Sequence, residues 1–467
     1  MPWSRHNRLY SVPGRLTLKL ALGEAPEGIP SALDVRSGAA DPLSKIDGGA
    51  IDRILRKHGG AVRVARLHNA ARSLGLPGAR HRGFDDVEHA LGLARTFRID
   101  TLPGCCIHHL VDALRQLSYV EQVSPYYVCA TPFIQPAPAE FDLEQAWLPR
   151  LQVNAPEALA YEPGDSAVII AVVDTGVAQT HPELANRLRP GLDTVQLGTH
   201  DLATGLLLRG DRSEVDTDPE DEVGHGTSCA AIMGAAGSRI PPGLAGASGL
   251  LPLRVLGAAQ LTGKSEAIGI GAIADIDMGV KTAIDLGAHV INMSFGTRVA
   301  DLDEDDPLPH EDVVRYGKAR GCLMVAASGN SGVSEEYVPA AYNEVIAVAS
   351  VDGEGNPSSF NTTGSHVNLC APGDRVVSAG LRDYQLVTGT SFAAPFVSAT
   401  AALLVSRSRR RSHPVAAETI SRILAESARA WKLGRGEGCG VGVLDALAAL
   451  RALDREIDGT TAGGGHA

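Results

Sequence analysis

No C-x-x-C pair occurs in this chain and its seven cysteines are odd in number, so neither a disulfide framework nor a zinc site is indicated. Reduced thiols are the expected state. Long apolar runs are missing too. The opening MPWSRHNRLYSVPGRLTLKL has no unbroken apolar stretch of signal-peptide length, and no later segment approaches the ~18 residues of a membrane span. A cytoplasmic location and no membrane partner are expected. Positive charge is in deficit. The formal net charge of -12 argues against general affinity for nucleic acid or anionic membranes. The one basic cluster, RSRRRS from Arg407 to Ser412, is expected to be the solvated C-terminal end of a helix, where cations suit the dipole. Core material, by contrast, is plentiful. With 44% hydrophobic and 21% charged residues over 467 positions, the chain is long enough for two domains, or for one large domain with an appendage.

The first third has its own pattern. RLTLKLAL (Arg15 to Leu22) alternates like a strand, GAIDRILRKHG reads as a helix, and AVRVARLH alternates again. RTFRID then reads as a strand, CCIHHLVDALRQL as a helix and YVEQVSPYYV as a strand. The order strand, helix, strand, strand, helix, strand is that of a split βαβ, ferredoxin-like unit. CATPFIQPAPAEF, with prolines at 132, 136 and 138, follows as an extended linker.

Beyond the linker, short apolar runs at Val168–Val173, Leu251–Leu256, Val290–Ser294, Leu323–Ala327 and Val345–Ser350 read as strands buried on both faces. SEAIGIGAIADIDMGVKTAIDLG and HEDVVRYGKARG between them read as helices. The alternation predicts a mostly parallel α/β sheet flanked by helices, with its active site at the carboxyl ends of the strands.

Four polar residues stand at such ends. Asp174 closes the first run, and Gly176 just after it permits a sharp turn. His225 sits between two glycines in EVGHGTSCA, where little hinders its approach to other groups. Asn330 lies in the Gly-rich turn of VAASGNSG, and Ser391 opens the small-residue helix of VTGTSFAAPFVSATAALL. Each alone also fits a cap or turn residue. Together they fit one chemistry. A serine hydroxyl becomes a nucleophile when a neutral imidazole takes its proton, and the imidazole needs a carboxylate to fix its tautomer. The oxyanion then needs donors, which the Ser391 N–H and the Asn330 amide could supply. The chain order Asp, His, Ser differs from that of α/β-hydrolases and of chymotrypsin-like enzymes.

With VVDTGV, GHGTSCA, INMSFG, AASGNSG and GTSFAAPFVS in this order, the sequence resembles the subtilisin-like serine proteases, or subtilases, over roughly Asp142 to Leu450. The resemblance implies Asp174 as orienter, His225 as general base and acid, Ser391 as nucleophile and Asn330 as oxyanion donor. It implies that Ser294, Phe295 and Gly296 form an edge to which an extended peptide adds as a strand. It implies too that the first third is a ferredoxin-like prodomain, a folding aid and intramolecular inhibitor. The expected divisions are a prodomain at 1–128, a linker at 129–144 with a self-cleavage site, a catalytic domain at 145–452 and a flexible tail at 453–467. The expected activity is that of a serine endopeptidase made as a zymogen and acting on protein or peptide substrates. A dedicated processing protease and a catalytically idle peptide-binding homologue are the alternatives.

Departures from the family pattern are few. Ser228 stands where several members have a second histidine. Cys229, one helical turn after His225, resembles the cysteine of proteinase K-like enzymes and implies mercurial sensitivity, or is simply a small core residue. Phe392 replaces a common methionine and removes an oxidisable thioether. No cofactor or metal is required. Calcium, frequent in the family, finds no oxygen cluster in GSRIPPGLAG, and the acidic run Asp211 to Glu222 is expected to be a solvated loop. A second run, DLDEDD at 301–306, follows the substrate edge and could favour basic residues in the peptide. Activity is expected to fall below about pH 6.5, the ordinary histidine value.

Overall fold

The structure, a computed structural model, describes residues 10–71, 83–102, 104–131, 137–138, 142–198, 206–212, 216–264, 266–431 and 436–463. Four antiparallel strands build the N-terminal unit: β1 (Ser11–Leu20), β2 (Arg63–Arg66), β3 (Thr96–Asp100) and β4 (Val120–Ala130), in the spatial order β2-β3-β1-β4. Leu18 pairs with Phe97 on one side and Val123 on the other, so the period-2 apolar positions of three strands share a face. Two helices cover that face, α1 (Ala50–Ile54) and α2 (Ile107–Arg115). Ile51, Leu110 and Leu114 are fully buried against Leu16, Leu18 and Phe97.

The larger unit is built on parallel strands β5 (Ile169–Asp174), β6 (Gly249–Arg254), β9 (Val290–Met293), β10 (Leu323–Ala327), β11 (Val345–Val351) and β12 (Val367–Pro372). Their order is β12-β11-β10-β9-β5-β6, with short strands at both edges. The apolar runs lie between two cores, one on each face. Helices α4 (His225–Gly234) and α7 (Thr390–Arg410) pack together on one face, and α5 (Ile273–Asp285) and α6 (Glu311–Ala319) on the other. Alanine, serine and threonine dominate α7, and that lets this long helix lie close to both α4 and the sheet.

Three expectations need correction. The stretch at 265–287 is not one helix. Residues Ala267–Ala272 form strand β8, antiparallel to β7 (Gly257–Leu261), and α5 starts at Ile273. The I-G-I-G alternation there has the period of a strand, and a Cβ on Gly271 would stand 2.2 Å from the Val255 carbonyl oxygen. The tail at 453–467 is not loose from its start: helix α8 (Ala446–Gly463) buries Leu453 and Ile457. The basic cluster is not merely solvated, because Arg407 and Arg411 pair with Asp454 of α8 and Arg410 pairs with Glu162.

The two units share one sheet. Strand β4 pairs on its far side with β8, Ala130 opposite Ile270 and Val128 opposite Ala272, so the N-terminal sheet continues through β8 and β7. Val12, Tyr126 and Val128 join Ile268 and Ile270 in a common core. Charged contacts flank it: Lys19 to Asp312 at 2.9 Å, Glu88 to Lys281 at 2.7 Å, and Asp85 to Arg320. Among the described residues no helix is long and apolar enough to cross a membrane.

Candidate active site

The four polar residues singled out in the sequence converge at the carboxyl ends of β5 and β10 and the N-termini of α4 and α7. Asp174 is fully buried, and its Oδ1 accepts the Thr175 N–H and meets His225 Nδ1, each at 2.7 Å. A carboxylate at Nδ1 holds the proton on that nitrogen and leaves Nε2 free to accept one. Nε2 is buried and has no hydrogen-bond partner among the described residues. Burial acts to lower the His225 pKa, but the Asp174 carboxylate, helped by Asp221, outweighs it and holds the imidazole above its ordinary value. An activity that needs a neutral His225 would therefore fall off above the 6.5 expected on sequence alone.

Ser391 lies in the first turn of α7, where N–H groups lack intrahelical partners. Its hydroxyl donates to the Ser294 carbonyl oxygen at 3.2 Å. Pro395, four residues on, has no N–H to give the Ser391 carbonyl, which would otherwise stay unpaired in the core. The Ser294 hydroxyl and the Cys229 thiol donate to it instead, at 2.8 and 3.4 Å. A relay anchors that hydroxyl: Ser398 Oγ donates to Asn292 Oδ1 and Asn292 Nδ2 donates to Ser294 Oγ, both at 2.9 Å. Burial, with Asp174 nearby, pushes the Cys229 thiol far up, so it stays a neutral donor.

Asn330 is held by its oxygen. Oδ1 accepts from the Thr390 N–H at 2.9 Å and the Thr390 hydroxyl at 3.0 Å, while Nδ2 is buried with no partner among the described residues. An amide fixed in this way keeps two N–H donors available for a developing oxyanion.

Sequence reasoning missed Asp221. The acidic run from Asp211 to Glu222 is not simply solvated, because Asp221 is buried and accepts from the Val223, Gly224 and Thr227 N–H groups and from the Thr227 hydroxyl, at 2.6–2.9 Å. It thereby fixes the turn that delivers His225. Glu222 pairs with Arg254 at 2.7 Å. The D-x-x-G-H-G-T spacing was the available signal, since Asp favours exactly such turn-and-cap bonding near a helix start. Asn292 and Glu183 were missed too. The Glu183 carboxylate accepts the N–H groups of Gly237, Ser238 and Arg239 at 2.7–3.0 Å. The GSRIPPGLAG loop thus turns N–H groups inward onto an anion, a polarity opposite to that of a cation site, which needs oxygens. Among the described residues, the one group of side chains close enough to share a metal is Asp174, His225 and Cys229, the site itself.

Of the expected substrate edge, Ser294 and Phe295 are buried, and a strand ladder beside it runs along β8. Thr131 continues that ladder, its N–H donating to the Gly269 carbonyl at 2.9 Å, and Cys129 Sγ lies 3.5 Å from the Gly296 carbonyl. On the other side, Ala137 and Pro138 pair with Leu386 and Gln385 of β13 (Tyr384–Val387). Gln385 Nε2 donates to Ser228 Oγ at 2.7 Å, one turn from His225. Half of the expected linker, 132–136 and 139–141, lies outside the described residues.

A hydroxyl, an imidazole bonded to a carboxylate, and a free amide donor at the ends of parallel strands can together transfer an acyl group. Residues 165–449 match a family model described as the subtilase family, and the chain belongs to that family. It is a subtilisin-like serine endopeptidase, and catalysis in this family needs no cofactor. Thermitase of Thermoactinomyces vulgaris is 34% identical over 289 residues, 61% of this chain and 91% of thermitase. Subtilisin BL of Lederbergia lenta is 34% identical over 54% of this chain and 81% of its own. A protease structure from Pseudoalteromonas arctica superposes with a TM-score of 0.54 at 25% identity, over 68% of this chain and all of that one.

Proposed function

We propose that the protein is a self-inhibited serine endopeptidase that cuts peptide bonds through an acyl-enzyme. In this reading Ser391 attacks the carbonyl, His225 Nε2 takes its proton and returns it to the leaving amine, Asp174 holds the imidazolium, and Asn330 Nδ2 with the Ser391 N–H binds the oxyanion. The single observation that carries it is the Asp174–His225 contact beside Ser391, with both His225 Nε2 and Asn330 Nδ2 unspent.

Residues 1–128 are, in the same reading, a ferredoxin-like prodomain, and the chain leaving it stands where a substrate would. The ladder from Val128 to Thr131 on β8 and the pairing of Ala137 with β13 lie on either side of the site. The bond to be cut is expected within 132–136. The cytoplasmic placement belongs to this proposal as well, supported by seven unpaired cysteines. A fluorophosphonate probe tests the chemistry: it labels the enzyme on Ser391 after the prodomain is released. Absence of labelling in freed enzyme would mean an idle peptide-binding homologue.

A further inference from the structure

We infer that Asp306 is a specificity-determining residue, selecting substrates that carry a long side chain with a hydrogen-bond donor, a phenol or a cation, at the position held here by Tyr127. This rests on the reading that Val128–Thr131 occupies the place of a substrate strand on β8.

Side chains two apart on a strand point to the same face. Cys129, opposite Gly271, reaches the Gly296 carbonyl, and Tyr127 reaches the acidic loop that follows. There its hydroxyl donates to Asp306 Oδ2 at 2.8 Å. The loop at 301–306 is therefore not merely a solvated acidic run. Asp301 is buried and paired with Arg298, and the Asp306 side chain is 5% exposed. Asp306 Oδ2 also takes the Asp303 N–H at 3.3 Å, and Arg115 of the N-terminal unit stands 3.6 Å from Oδ1 and 3.7 Å from Asp305.

Tyr127 and Arg115 both leave with the N-terminal unit. A carboxylate that has lost its side-chain donors in a half-dry pocket and keeps only the Asp303 N–H gains more from a new donor than a solvated one does. Asp303 and Asp305 beside it favour a cation further and repel an anion. A peptide added to β8 in the same register brings one side chain to this point, the one two residues before the residue opposite Gly271.

The test measures kcat/KM of the self-processed enzyme on a peptide of residues 122–138 and on versions carrying Tyr127→Arg, Tyr127→Phe or Tyr127→Glu. The Tyr and Arg peptides are expected to be cut about tenfold faster than the Phe peptide, and the Glu peptide slowest, as loss of a hydrogen bond to a charged group predicts. Asp306→Asn should shrink the Arg-over-Phe ratio below about threefold, and Asp306→Lys should place Glu ahead of Arg. Equal rates on all four peptides, or an Arg-over-Phe ratio unchanged in Asp306→Asn, would overturn the inference while leaving the protease reading intact. If no peptide is cut in a Ser391-dependent way, the protease reading fails and the inference falls with it.

Discussion

The parallel sheet and the antiparallel sheet that adjoins it are built by different rules. Strands β5, β9, β10 and β11 are buried along nearly their whole length, and Asp174 closes β5 while Asn330 follows β10. The antiparallel sheet crosses from the N-terminal unit into β8 and β7, and ion pairs brace it on the side of α5 and α6. The first sheet holds chemistry in place through a buried relay of hydrogen bonds. The second, in the proposed reading, brings the chain to the site through backbone pairing, which is insensitive to sequence and separable once a bond is cut. The comparison predicts that damage to the first abolishes turnover, whereas damage to the second changes who occupies the cleft.

The largest effect expected is from Ser391→Ala, which should lower peptide hydrolysis by ~10⁴ or more with the fold retained, as steady-state kinetics and circular dichroism would register. Asn330→Ala should cost ~10²–10³ in kcat with KM little altered, the usual loss for one oxyanion donor. An equal fall in affinity would instead assign the residue to substrate binding. Beside the second sheet, Glu88→Gln removes one of the two buried carboxylates that hold Lys281, Asp285 at 2.5 Å being the other, and so costs about 1–3 kcal/mol. After cleavage, the N-terminal fragment should then dissociate about tenfold more readily, with kcat of the freed enzyme unchanged.

A smaller effect is the position of the acid limb. Because His225 must be neutral to act and its pKa is raised, kcat/KM should reach half its maximum above pH 6.5. The sign for stability is opposite to that for activity. The charged His225–Asp174 pair stabilises the fold fully below the ordinary histidine value, and that contribution fades as pH rises through the raised one. A limb below 6.5 would mean that burial, not Asp174, dominates. Smallest is oxidation: Phe392, whose ring lies 5.2 Å from that of His225, has no thioether beside the nucleophile, so activity should survive dilute peroxide. Rapid loss would point to another oxidisable group.

Most of the first sheet was legible in the sequence because a strand buried on both faces is a continuous apolar run and its functional residue comes next in the chain. Asp174, His225, Asn330 and Ser391 announce themselves by position. Residues that act through others do not. Asp221 looked like one of several acids in a polar loop, and only the fold turns it toward the Gly224 and Thr227 amides. Asn292 lies inside the β9 run with no local mark of its bonds, one to Ser294 just beyond the strand and one to Ser398, which is remote in the chain. Strand β8 was concealed by its neighbour, since the helix period of 273–285 runs straight on from the I-G-I-G alternation. The end of the chain deceived for a similar reason: Leu453 and Ile457 continue the apolar spacing of α8 into a stretch that grows polar and glycine-rich.

The central claim is that this chain delivers its own connecting segment to its own nucleophile. Intact mass of the purified protein beside Ser391→Ala, after incubation at neutral pH, tests it most directly. The account predicts that the native chain splits between residues 132 and 136 while the variant remains whole. Splitting of both proteins at the same bond, or cleavage of the native chain only outside that segment, would contradict it.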